Sequence, residues 1–305
     1  MSRFGTGTIA TLGLTAVTAV WGSTFFLIKD VVTVLPVADF LAVRFWVAAV
    51  VMVVAFGPHL RRLDARAWRR GLLLGAVYGV AQLLQTWGLE HTSASVSGFV
   101  TGMYVVITPV LGALLLRQRT PTTTWLAVGL ATAGLAVLSL RGLAVGFGEA
   151  VTLASAAVYA LHILGLGAWS TQREALGLST VQMLAIASVC TVSAAPDGIA
   201  LPPDAGVWAA VLYMAVVAGA GALVVQTWAQ AHLPATRAAI VMTTEPVFAA
   251  LFAVLLGGEV LGLRVLLGGA LVLGAMYLAE LGPRRSRRQV PAALDPPAEA
   301  LHHEP

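Results

Sequence analysis

Ten long apolar blocks joined by short connections dominate this chain of 305 residues. They run approximately over Thr8–Ile28, Asp39–Gly57, Gly71–Gly88, Ser97–Leu116, Thr123–Leu140, Glu149–Ala168, Ser179–Ala195, Val207–Ala229, Thr236–Leu256 and Leu263–Leu281. A helix of roughly 20 apolar residues crosses a bilayer, and in lipid only a helix satisfies every backbone group within one such segment. The connections leave no room for a folded soluble domain. Charged residues make up 10% of the chain, far below the roughly 25% usual in soluble domains. The pattern predicts an all-α polytopic membrane protein with ten transmembrane helices, set in the cell membrane as a multi-pass chain.

Arg3 before the first block resembles the start of a signal peptide. That run is too long, however, and no small-residue cleavage site follows, so it is read as the first membrane helix. Small residues sit where bare helices must approach each other: Gly71, Gly75 and Gly79 form one stripe, Gly98 and Gly102 another. The single cysteine, Cys190, has no intrachain partner and is expected to pack as a small apolar residue.

Orientation follows from the cations in the connections. With the N-terminus in the cytoplasm, the inner segments hold fourteen Arg residues: Arg3, Arg61, Arg62, Arg66, Arg69, Arg70, Arg117, Arg119, Arg173, Arg237, Arg284, Arg285, Arg287 and Arg288. The outer segments hold Lys29, Arg141 and Arg264. Both termini are therefore expected inside. The net charge of +4 reads as this topology signal and gives no reason to expect a nucleic-acid partner. Residues 282–305 mix a basic cluster with Pro, Ala and acids, the composition of a disordered tail lying near anionic headgroups.

The chain also repeats itself. "QTWGLEHTSA" from Gln85 matches "QTWAQAHLPA" from Gln226, with Gln, Thr, Trp, His and the final Ala at the same spacing. Each copy precedes an apolar helix with a proline, Pro109 in "VITPVLGALL" and Pro246 in "TTEPVFAALF". Glycine-spaced helices follow both. The first helices correspond loosely, pairing Trp21 with Tyr159. Five helices form one unit, and an odd number forces the second unit to enter the membrane upside down. Inverted repeats are a hallmark of secondary transporters, with the substrate site near the midplane between the halves.

These features resemble the EamA family of the drug/metabolite transporter (DMT) superfamily. The resemblance rests on "AVWGSTFFLIK", "FLAVRF", "HTSASVSGFVTGMYVVITPVL", "TTEPVFAALFAVLLGGE" and the two five-helix units, and it covers the chain from about Thr8 to Leu281. It implies a first repeat over 1–140 and a second over 141–281. It also implies efflux of varied small metabolites, amino acids among them. Two positions depart from the family pattern: Thr24 stands where Asn is usual, and Arg117-Gln118-Arg119 where a Glu often follows the fourth helix.

Glu245 is the charge hardest to explain. It lies near the middle of its apolar block, at about 1.5 Å per residue. An ionised carboxylate at mid-membrane costs at least ~2.5–3.5 kcal/mol, so it should face the protein interior, a partner or water. Pro246 removes an N–H and frees a carbonyl one turn earlier. Thr244, on the same turn, can share protons with the carboxylate. The site is read either as proton coupling or substrate binding, or as a structural interhelix bond.

Arg44, about five residues into the second helix, either snorkels to the interface or pairs with Asp39, Glu259 or a substrate carboxylate. His162 is a buried hydrogen-bonded imidazole or a proton relay. Gln82 and Gln85 share a helix face, and Gln226 is the repeat partner of Gln85; these amides line a cavity or bond helices together. Trp21, Tyr104 and Tyr159 fall within helices and are cavity candidates, with Thr101 on the face of Tyr104. Trp87 and Trp228 lie near helix ends, where an interfacial belt is the default.

Enzyme signatures are weak: there is no metalloprotease helix motif, nucleophile elbow, Walker loop or Cys/His metal spacing. No metal, nucleotide or other cofactor is expected. The leading reading is an exporter working by alternating access on a small-molecule substrate, with protons as a candidate coupling ion. A membrane enzyme acting on a lipid-linked substrate is the alternative, and a structural subunit is a third. The oligomeric state is not readable.

Overall fold

The computed structural model describes residues 6–116, 122–141, 144–169, 174–232 and 241–281. The first half contains α1 (Thr6–Val31), α2 (Val37–Leu60), α3 (Ala65–Glu90), α4 (Ala94–Gly102), α5 (Tyr104–Leu116) and α6 (Thr122–Ser139). A two-residue antiparallel pair follows, β1 (Leu140–Arg141) with β2 (Ala144–Val145). The second half contains α7 (Phe147–Trp169), α8 (Ala175–Ala194), a short 3₁₀ turn, α9 (Ala205–Leu212), a π-helical segment (Tyr213–Gly221), α10 (Ala222–His232), α11 (Glu245–Leu255) and α12 (Leu263–Leu281).

Seven stretches among the described residues are long and apolar enough to cross a membrane: Thr6–Val31, Val37–Leu60, Ala65–Glu90, Ala94–Leu115, Phe147–Trp169, Ala175–Ala194 and Ala205–Gln226. Three shorter apolar helices accompany them, Thr122–Leu138, Glu245–Leu255 and Leu263–Ala279. The beginning of the ninth apolar block, the tail from 282, and Arg3, Arg117, Arg119, Arg173 and Arg237 lie outside the described residues.

Three helix boundaries differ from the sequence reading. α3 begins at Ala65, where the Asp64 side chain accepts the Ala67 N–H at 2.7 Å and caps the start. Arg66, Arg69 and Arg70 are therefore helical; long cations at a helix end reach headgroups without breaking the helix. The fourth block is interrupted at Met103, so α4 and α5 are separate helices. The ninth is interrupted at Thr243–Thr244, and α11 starts at Glu245 with Pro246 in its first turn. Proline belongs there, because the first helical N–H groups have no intrahelical acceptor to lose.

The glycine stripes decide which helices touch. A Cβ on Gly71 would meet Val181 at 2.8 Å, and one on Gly75 would meet the Gln182 carbonyl at 2.5 Å, so α3 lies directly against α8. Gly98 and Gly102 press on Ala249 and Pro246 of α11, and Gly22 of α1 presses on Phe248 and Ala249. Cys190 is free and buried in the core formed by α1, α2 and α8.

Both ends of α1 are fastened. Near its start, Ala10 and Leu14 cluster with Ala229. Near its end, Lys29 donates to the carbonyls of Leu89, Glu90 and Thr92 at 3.0, 2.8 and 2.7 Å. The two copies of the Gln-Thr-Trp segment thus meet opposite ends of α1. At the Lys29 end, Glu259 closes the start of α4, accepting from the Ala94 N–H at 2.6 Å, the Ser95 N–H at 3.3 Å and the Ser95 hydroxyl at 2.6 Å. Thr92 donates to buried Glu149 at 3.0 Å.

Candidate functional site

Between the halves lies a cavity of about 290 Å³. Periodicity explains much of its wall. Tyr78, Gln82 and Gln85 stand on one face of α3, four and three residues apart, and all three line it. α1 contributes Trp21, Thr24, Phe25 and Ile28; α2 contributes Arg44 and Phe45. Thr101 of α4 and Tyr104, the first residue of α5, enter at the Met103 break. From the second half come Tyr159 and His162 of α7, Gln182 of α8, Gly219 of the π segment, Gln226 of α10 and Glu245 of α11.

A hydrogen-bond chain ties these walls together. The Gln85 amide donates to Thr101 at 3.2 Å, and Tyr159 donates its hydroxyl hydrogen to the Gln85 carbonyl oxygen at 2.8 Å. One side chain thereby joins α3, α4 and α7. Gln82 donates to the Tyr78 oxygen at 3.3 Å, while its own Oε1 is buried without a partner. Tyr78 meets Tyr159 and His162 edge-on, with ring centroids 5.2 and 5.0 Å apart. His162 Nε2 lies 2.7 Å from Gln182 Oε1. Trp21 Nε1 donates to the Ala218 carbonyl in the π segment at 2.9 Å. A π segment bordering a binding cavity fits the general placement of such irregular turns.

Glu245 sits in the first turn of α11, partly exposed to the cavity. A carboxylate at a helix N-terminus faces unpaired N–H groups and gains about 0.3–1 kcal/mol from them. Helix α11 therefore gives this acid a local reason to be where it is. Thr244 does not join the cavity wall: its hydroxyl donates to the Val241 carbonyl at 2.6 Å and lies 3.2 Å from that of Thr18 on α1. The turn directs it towards α1, so the expected sharing of its proton with Glu245 is not made.

For Arg44 the snorkelling reading and the intrachain pairings are not met, which leaves the pairing with a substrate carboxylate open. The side chain does not snorkel, being only 7% exposed, and it pairs with neither Asp39 nor Glu259. Asp39 instead accepts the Ala200 N–H at 3.1 Å. The guanidinium lies 5.1 Å from the centroid of the Phe45 ring and 5.9 Å from that of Phe40. Its Nε and Nη1 have no partner. Pro109 lies inside α5, and Pro246 packs against the α4 glycines; neither lines the cavity.

The cavity thus gathers the candidates named from sequence, except Thr244 and the two prolines. It adds Tyr78, Thr86 and Gln182, which sequence reasoning did not single out, and Thr24, noted there only as a departure from the family pattern. Tyr78 was accessible by spacing, four residues before Gln82. Gln182 meets His162 only through tertiary packing, and no local signal marks it. Among the described residues no three His, Cys, Asp or Glu side chains are grouped to hold a metal ion. Trp87 and Trp228 are about half exposed and lie outside the cavity.

The comparisons with known proteins agree with this picture. The sequence profile of the EamA-like transporter family matches the chain twice, over residues 8–140 and 146–281. A relative named "Uncharacterized transporter", from Archaeoglobus fulgidus, is 28% identical over 274 residues, spanning 89% of this chain and 86% of its own length. A solved structure, described only as "Crystal structure of protein", superposes with a TM-score of 0.63 at 18% identity. It covers 89% of this chain and 96% of that one, and it shows a shared fold. The chain belongs to the EamA-like transporter family, within the DMT superfamily, and is a multi-pass membrane transporter.

Proposed function

We propose that this member of the EamA-like transporter family is a secondary carrier that exports small metabolites, amino-acid-like or drug-like, across the cell membrane by alternating access. In this reading the chain spans the bilayer ten times with both termini in the cytoplasm. Residues 1–140 and 141–281 form two inverted five-helix units, and 282–305 form a cytoplasmic tail. The carrier acts without a nucleotide cofactor and exchanges its substrate against protons.

The observation that carries this reading is the cavity itself, because each half contributes to it. α1 to α5 supply one side, and α7, α8, the π segment, α10 and α11 supply the other. A site shared by two repeats is where a change of their relative tilt exchanges access from one face to the other. The helix breaks at Met103 and at Thr243–Thr244 fall at matching places of the two halves and open onto this cavity. Discontinuous helices at the repeat interface are the usual way such folds expose polar backbone at depth. The opposite placement of the two Gln-Thr-Trp segments along α1 supports the inversion.

Flux measurements in inside-out vesicles test the proposal. A panel of amino acids, other small organic acids and amines, and lipophilic cations is presented with and without an imposed pH gradient. Uptake of one class, stimulated by the gradient and absent from vesicles lacking the protein, is the expected result. No uptake of any class in either condition would sink the reading.

A further inference from the structure

Arg44 is buried at the wall of the cavity, and its Nε and Nη1 are closed off from solvent without a hydrogen-bond partner. A buried guanidinium with no anion is strongly unfavourable, because its hydration is lost and nothing replaces it. The rings of Phe40 and Phe45 attract the cation but offer no oxygen to its N–H donors.

Three other acids hold partners elsewhere in the bundle. Asp39 holds the Ala200 N–H, Glu259 closes the start of α4, and Glu149 accepts from Thr92. Glu245 shares the cavity but forms no ion pair with Arg44 among the described residues. Among the described residues no carboxylate pairs with Arg44.

We infer that Arg44 is the anion-recognition group of this cavity, and that the carried molecule presents a single carboxylate to it. The inference rests on the transport reading above and names the substrate chemistry. A planar guanidinium fork matches a carboxylate in two parallel hydrogen bonds, which here requires the side chain to turn so that Nε or Nη1 opens to the cavity. One guanidinium, with the acid Glu245 in the same cavity, suits one negative charge and disfavours a phosphate dianion. Tyr78, Tyr159 and Phe45 give the remainder of the ligand an aromatic wall.

The test uses the purified full-length protein in detergent and three matched pairs: phenylacetate and phenylacetamide, indole-3-acetate and its amide, isobutyrate and its amide. Binding is read calorimetrically and through tryptophan fluorescence, since Trp21 lines the same cavity. At least one carboxylate is expected to bind about tenfold or more tightly than its amide, as a charge-assisted hydrogen bond implies. Arg44→Gln is expected to abolish that preference, and Arg44→Lys to keep part of it, retaining the charge without the fork. Should both variants misfold, the wild type suffices: carboxylates but not amides should protect Arg44 from phenylglyoxal, as mapped by peptide mass.

Equal binding within every pair, no binding by any of the carboxylates, or a preference that survives in folded Arg44→Gln overturns the inference. Panel flux without carboxylate preference also overturns it and leaves the carrier reading standing. Carboxylate binding at Arg44 with no flux of any compound removes the carrier reading instead.

Discussion

The side-chain amide of Gln85 donates to Thr101 at 3.2 Å, and that of Gln226, 141 residues later, donates to the Met242 sulfur at 3.8 Å. Each acceptor lies sixteen residues beyond its donor. The same interhelix contact has been kept in both halves while its acceptor changed chemistry. Hydroxyl oxygen is the stronger acceptor, so the contact in the first half is the firmer one. His91 and His232 repeat the pattern, each lying within hydrogen-bond distance of the Trp carbonyl four residues before it, at 2.9 and 2.8 Å.

Glu245→Gln is expected to reach the membrane in normal amount and to lose the part of the flux that a pH gradient stimulates. The amide preserves shape and hydrogen bonding while removing titration. Vesicle flux with and without the gradient decides the matter, and unchanged gradient stimulation would eliminate the coupling role. Glu245→Leu separates a structural role, because it would lower protein yield.

Gly22→Ala is expected to destabilise the fold by about 1–3 kcal/mol, the usual cost of overpacking. The new Cβ would lie 2.6 Å from Phe248 Cβ and 2.7 Å from the Ala249 backbone nitrogen, which cannot swing aside. Gly129→Ala meets nothing within 4 Å and should leave the melting temperature unchanged or raised. Thermal melts of the two variants in detergent are the check; equal melting temperatures would contradict the close approach of α1 and α11.

Glu259→Ala removes the acceptor for three donors at the start of α4. A loss of about 1–2 kcal/mol is expected, as for other helix caps. Hydrogen exchange should quicken at the amides of Ala94 and Ser95. Wild-type exchange at both positions would show that the carboxylate does not hold them in the membrane.

Cysteine placed at Arg66 should react with an impermeant maleimide only after permeabilisation. The native Cys190 is buried and gives little background. Labelling of intact cells would reverse the proposed orientation.

The membrane character of the chain is legible because lipid leaves few options. A long apolar block has to be a helix, and small-residue spacing marks the face that meets a neighbour, as at Gly75, though not that the neighbour is Gln182. The place of Glu245 in the cavity wall agrees with the inward-facing position its apolar surroundings demand. The helix break beside it was not legible, because Pro246 reads identically in a helix interior and in a first turn until the hydrogen bonds are known. Met103 carries no local breaker at all apart from the neighbouring Gly102. Arg44 was ambiguous for another reason: snorkelling and burial differ only in which way a helix face turns, and tertiary packing sets that. Tyr78 stood in plain view on the face of Gln82 and Gln85, and a strict count of helical spacing would have included it.

Among the described residues the two ends of α1 are held differently, by Lys29 on three carbonyls at one end and by apolar packing on Ala229 at the other. For the proposed carrier, whose two shapes are related by the two-fold of its repeats, matched fastenings would make the shapes equally long-lived. Charged stitches on one side alone remove that balance. In the proposed cycle one posture is then the resting one, and the step that undoes Lys29 and Glu259 is expected to be the slow one.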